Sequence, residues 1–337
     1  MSENKYKELD KYFERLKDIK KGEIGFYYDN LEFLMDLSHS VMSFNNNIKP
    51  DENKKQRYVS SIDKVLIQNV LREISSRIIN TYHDLDGTNK IHLLYENEDL
   101  PDTQSRYEKG NLYYTFSNNY DYLSTLVHEL MHATNIDPNN NYLTPAVLTE
   151  FISIYFEMYT KELLPNFGID NKEIDYTSRF KYGMTYTEFK FVIPLLVKIK
   201  YGEINKENMN KLHEEKHYFE TIEDYNYDSI CDSLNSYMFS AIISSNEEII
   251  NKSLMEYMKA AFIKLKYNLN TSLAFYALDK LDKNKVNDIN EQMINNPNIN
   301  VQELFNEMGI KLDQDFIDNS IESMNSYYQK HNKKVLI

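Results

Sequence analysis

His128-Glu129-Leu130-Met131-His132 is the stretch of this chain whose residue types and spacing point most directly to chemistry. Two histidines four residues apart lie one above the other on a helix face and can hold one zinc ion between them. The glutamate beside the first histidine is then placed to take a proton from a water at that ion, which is the arrangement of metal-assisted hydrolysis. The flanking residues supply the helix. Leu123, Leu126, Val127, Leu130 and Met131 follow the i, i+3, i+4, i+7, i+8 pattern of a buried helix, predicted over about residues 120–135. The plain alternative is a pair of core histidines. Burying two imidazoles and a carboxylate on an apolar helix is costly without a partner such as a metal.

The same five-residue pattern recurs at His213-Glu214-Glu215-Lys216-His217. Its centre is charged, and Lys211 and Glu207 precede it, so it reads as a solvated helix face with exposed histidines. Lys216 would repel a cation there. Only the first match is expected to hold metal.

A catalytic zinc site needs a third protein ligand and an open position. Three carboxylates follow His132: Asp137, Glu150 and Glu157. In the longer pattern HExxHxxGxxH the third-ligand slot falls on Pro138, which cannot ligate, and Asp137 is one residue out of register. Asn135 fills the glycine slot and could take a left-handed turn there. Glu150 has the better setting. Thr144 reads as an N-cap and Pro145 as the first residue of a helix to about Leu163, with Leu148, Phe151, Ile152, Tyr155 and Tyr159 as its apolar stripe. Glu150 would lie in the second turn among apolar neighbours, where zinc would neutralise it. Glu150, Ser153 and Glu157 share one face, so Glu157 is placed to accept the N–H of a ligating histidine. The alternative for Glu157 is a surface pair with Lys161.

With HExxH on one predicted helix and a glutamate on the next, the chain resembles the gluzincin peptidases. More narrowly, Glu150, Ser153 and Glu157 form the pattern E-x-x-S-x-x-x-E, which is similar to the second zinc helix of the oligoendopeptidase F and thimet-oligopeptidase family. The resemblance covers Leu123 to Glu157. Met131 stands where the family usually has glycine, and the chain is shorter than typical members. The resemblance implies His128, His132 and Glu150 as zinc ligands, Glu129 as catalytic base, and peptide or protein substrates. In that family the donor that stabilises the oxyanion comes from C-terminal helices. Tyr237 lies in the nearest stretch here, with a helix core position as its alternative role.

The elements around the site are mostly helical, since 8 glycines and 7 prolines leave few breakers. Helical patterns run over about 3–20, 26–46, 58–83, 145–163, 177–201, 205–216, 228–246, 248–267, 270–294, 300–308 and 314–330. Residues 90–95 and 110–116 are strand-like. Residues 111–116 are expected to offer an edge along which an extended peptide could lie. The fold class expected is mainly α with a small β-sheet: a zincin-like metallopeptidase core with a helical C-terminal lobe. The segments are 1–85, a helical N-terminal part; 86–165, the core; and 166–337, the lobe.

Composition narrows the partners. Lys and Arg number 38 against 52 Asp and Glu, a formal charge of −14, which argues against nucleic acid and anionic membranes. Cys231 is the lone cysteine, so no intrachain disulfide forms. The N-terminus has no apolar run, and no stretch reaches the ~18–20 apolar residues of a membrane span. A cytoplasmic protein is expected. Zinc, one per chain, is the metal expected from the ligand types, and cobalt or manganese would suit the same donors. Two other functions share the motif: a non-catalytic zincin-fold binding protein, and a zincin dedicated to one intracellular protein target. Glu129 in the base position and the lack of a nearby cysteine favour catalysis over a structural zinc.

Overall fold

Few positions interrupt helical hydrogen bonding, and the structure is mainly helical with one three-stranded sheet. The structure, a computed structural model, describes residues 7, 10–15, 22–48, 63–95, 105–116, 120–137, 141–181, 186–218, 234 and 246–332. The described helices are α1 (Gly22–Asp29), α2 (Leu31–Asn46), α3 (Lys64–Ile74), α4 (Ser76–Gly87), α5 (Asp121–Thr134), α6 (Phe151–Leu163), α7 (Tyr186–Tyr201), α8 (Lys206–Lys216), α9 (Glu247–Lys280), α10 (Lys283–Asn295), α11 (Val301–Glu307) and α12 (Gln314–Asn332). The strands are β1 (Ile91–Tyr95), β2 (Arg106–Glu108) and β3 (Asn111–Phe116).

Three of the helix boundaries that differ from the sequence reading have a plain local reason. The pattern over 58–83 is two helices where it is described. Ser75 adopts extended backbone (φ −164°, ψ 156°), its N–H closing α3 on Leu71 and its side chain accepting from Ile78 N–H to open α4. The pattern over 26–46 breaks at Asn30, whose side-chain amide donates to the Phe26 carbonyl. The expected gap near residue 268 is absent. Helix α9 runs through Asn268, Asn270 and Thr271, all buried, and the chain breaks at Asp282, which caps Lys285 N–H. The helix expected over 228–246 lies outside the described residues except for residues 234 and 246.

The sheet has the order β1-β3-β2, with β1 parallel and β2 antiparallel to β3. Lys109 and Gly110, both at positive φ (50° and 78°), form the two-residue turn between β2 and β3. Three-residue β2 was too short to read from its pattern. Its presence corrects one expectation: β3 is the central strand, and because β2 pairs with Asn111–Tyr113 opposite β1, that half of the strand is not an edge for peptide addition. Leu112 and Tyr114 are buried on the face toward α5, and α5 packs on β2, β3, α4 and α6. On the other face His92 stacks on Tyr113 (4.8 Å), and the Arg106 guanidinium lies over the same ring.

The chain forms two compact units, each from two separate stretches: Met1–Ser43 with Gly183–Leu269, and Phe44–Tyr182 with Asn270–Ile337. The three consecutive segments drawn at about 85 and 165 follow sequence pattern, whereas these units follow contact. In the first unit Lys198 is nearly fully buried and pairs with Asp10 and Glu14, while Lys216 pairs with Asp36 and Lys200 with Glu32. The second unit holds the sheet, α5 and α6. Among the described residues no helix is long and apolar enough to cross a membrane.

Candidate metal centre

Helix α5 forms where the apolar spacing predicts it, and Tyr122, Leu123, Leu126, Val127, Leu130 and Met131 are all buried. Burial of that stripe fixes the rotation of the helix, so His128 and His132 share one face. Their rings meet edge to face, centroids 4.9 Å apart, with their Nε2 atoms at 3.1 Å. Asn135 ends the helix at φ −105°, which is not left-handed. From there the chain turns back through a single bridge between Ile136 and Tyr142.

The next helix starts later than its sequence suggests. Pro145 is extended (φ −53°, ψ 133°), Ala146–Leu148 is a 3-10 turn, and α6 begins at Phe151. The Leu148 N–H closes on the Pro145 carbonyl, and the Thr149 hydroxyl donates to the Ala146 carbonyl. These short bonds, with Val147 and Leu148 both buried, hold the segment in the tighter turn. Glu150 therefore sits at the N-cap position of α6 and not in a second turn. Its carbonyl accepts the Ile154 N–H, and its carboxylate lies at the positive end of the helix dipole.

That placement brings Glu150 to the histidines. Its Oε2 is 3.5 Å from His128 Nε2 and 3.6 Å from His132 Nε2. Among the described residues, His128, His132 and Glu150 form the group of donors that could hold a metal ion. The expectation from sequence had named these three. Asp137 instead accepts from the backbone and side-chain amides of Asn141 and closes the loop between the helices.

Around the donors lies a second set of polar contacts. Glu157 Oε2 accepts from His128 Nδ1 at 2.9 Å, as its spacing suggested, and is not a surface partner of Lys161. Ser153 Oγ is 3.4 Å from His132 Nδ1. Arg179, on the 3-10 turn Ser178–Lys181, donates from Nη1 to the same Glu157 oxygen at 3.5 Å. Nothing in the sequence pattern singled out Arg179.

Charge follows this geometry. Burial pushes the Glu157 carboxyl up, but Arg179 and His128 outweigh it and hold it down at about 2. Burial pushes Glu150 up, yet His132 and His128 hold it well below the usual carboxylate range. Burial would lower the His128 imidazole, and Glu150 and Glu157 raise it to about 10. Glu129 is buried, and burial lifts its carboxyl above the ordinary value against the pull of His128 and His132. Tyr142, half-exposed on the bridge, has its phenol raised by burial and by the charges of Glu150 and Glu129.

Family models, curated proteins and solved structures give no match to this chain. The donors' own chemistry carries the argument. A tetrahedral ion with bonds of about 2.0–2.1 Å needs donor pairs about 3.3–3.4 Å apart. The three measured separations, 3.1, 3.5 and 3.6 Å, bracket that edge. Two imidazoles and one carboxylate fit such an ion and leave its fourth position to solvent or substrate.

The second pentapeptide takes another form. His213 is buried in α8, contrary to the exposed face expected, and His217 lies just past the helix end at φ 48° and is exposed. Their ring centroids are 6.2 Å apart. Tyr237 lies outside the described residues.

Proposed function

We propose that this chain is a zinc-dependent metallopeptidase of the gluzincin kind, with α5, α6 and the sheet as a zincin-like core. One observation carries the reading. Three donors converge at tetrahedral spacing, and Glu129 stands beside them, buried and outside the ligand group. A structural zinc commonly takes four protein ligands, cysteines prominent among them. Here three donors converge and a carboxyl is kept in reserve.

A zinc ion held by His128, His132 and Glu150 supplies Lewis-acid polarisation of a water and of the scissile carbonyl. Glu129 takes the proton of the attacking water and returns it to the leaving amine. Burial lifts its affinity for protons above that of an ordinary carboxylate, which suits both transfers. Glu157 fixes the His128 ring by holding Nδ1–H, so that Nε2 faces the ligand position. Buried Leu130 and Met131, between the two histidines, keep α5 seated and dry on its inner side. The substrates are peptides or proteins.

The test is metal content and cleavage of mixed quenched fluorescent peptides, for wild type and Glu129→Gln. We expect one zinc per chain in both, and chelator-sensitive cleavage about 10²–10⁴-fold slower in the variant. Zinc with no cleavage by wild type would point to a single dedicated protein target or to a binding role. No bound metal would return His128 and His132 to the helical core.

A further inference from the structure

Glu157 is a carboxylate with 12% of its side chain exposed, and one of its oxygens serves two partners from two segments. Oε2 accepts from His128 Nδ1 at 2.9 Å and from Arg179 Nη1 at 3.5 Å. A carboxylate this far from water requires a cation or several donors. Lys161, one turn further along α6, is 1% exposed, but its ammonium serves another end. It donates to the Asp175 carbonyl at 2.7 Å and to Ser178 Oγ at 2.5 Å, with Asp121 Oδ1 at 3.7 Å. Lys161 thereby ties the turn that carries Arg179 to α6 and to the start of α5. Arg179, 7% exposed, is delivered to Glu157 by that tie.

We infer that Arg179 is a positioning residue for the metal centre, acting through Glu157 on His128; this rests on the zinc reading above. The physical chain is short. Arg179 pins the Glu157 oxygen, the pinned oxygen holds the His128 proton on Nδ1, and Nε2, which gives up its own proton when metal binds, faces His132 Nε2 and Glu150 Oε2. A planar guanidinium orients a carboxylate better than a lysine ammonium can. Without Arg179 the buried Glu157 is free to rotate or draw a different partner, and the His128 ring loses its stop.

The experiment measures zinc affinity by competition with a chromophoric chelator, together with the visible spectrum of the Co2+-loaded protein. Arg179→Met is expected to weaken zinc binding about 10–100-fold and shift the Co2+ spectrum, with Arg179→Lys recovering part of the loss. Glu157→Gln is expected to weaken zinc to a similar degree, and adding Arg179→Met to it should cost nothing more. Unchanged affinity in Arg179→Met overturns the inference. So does an equal further loss in the Glu157→Gln background, since Arg179 would then act on its own. If Arg179→Met alone fails to fold, the comparison of Glu157→Gln with the double variant decides by itself, because the double variant removes both buried charges. The zinc reading fails separately, if wild type takes up no zinc or if His132→Ala binds it as tightly as wild type.

Discussion

Zinc should raise the thermal stability of this chain, and the size of the rise can be set from the site. The three donors come from two positions, α5 and the start of α6, joined by the loop between His132 and Glu150. An ion that binds only when these are assembled stabilises the folded state by mass action. At free zinc about 100-fold above Kd the gain is about 2.7 kcal/mol. The unit holding the site spans Phe44–Tyr182 and Asn270–Ile337. For a unit of about 200 residues this converts to a rise in Tm of about 5–11 °C. Differential scanning fluorimetry with zinc buffered by a chelator measures it directly. His132→Ala leaves two donors and should abolish the rise. His217→Ala alters the exposed histidine of the second pentapeptide and should leave the rise intact. The pH dependence has a definite sign. His128, raised to about 10 by its carboxylate partners, carries a proton at pH 7, and zinc must displace it. Apparent affinity should therefore grow about tenfold per pH unit from pH 7 to 9, with one proton released. An equal rise in wild type and His132→Ala, or a rise lost in His217→Ala, would refute the assignment of the site.

Two further outcomes test the scaffold. Glu162 accepts from Lys330 at 2.6 Å and His331 at 3.2 Å, and although burial pushes its carboxyl up, these partners hold it below its ordinary value. A depressed carboxyl contributes stability above its unfolded value of 4.5 that is lost as pH falls below it. Glu162→Gln should thus be less stable than wild type in urea at pH 7, and the gap should close below pH 4.5; a gap constant with pH would count against the pairing. Leu130→Ala, at a fully buried position between the two histidines, should cost about 2–5 kcal/mol in urea unfolding and loosen zinc binding. A loss under about 1 kcal/mol would mean that α5 is not seated as described.

Sequence by itself determined what depends on near neighbours along the chain. The rise of a helix is fixed, so HExxH places two imidazoles together wherever the helix forms, and the apolar spacing of Leu123 to Met131 says which side is buried. Glu150 and Glu157 were legible for the same reason, being one helical face apart. Zinc itself, and peptide hydrolysis, remain the proposal that those residues support. Tertiary structure decided the rest, because it depends on residues far apart in sequence. Asn111–Phe116 reads as a strand, but only pairing with both β1 and β2 makes it central. His213 sits in a charged sequence, yet packing buries it. Glu150 reaches the histidines from an N-cap, since the buried Val147 and Leu148 tighten the preceding turn. Arg179 arrives at Glu157 from 22 positions away, held by Lys161. A lone arginine in a sequence has no periodicity to announce it. Its role is set by the buried carboxylate it meets, and that meeting exists only in the folded chain.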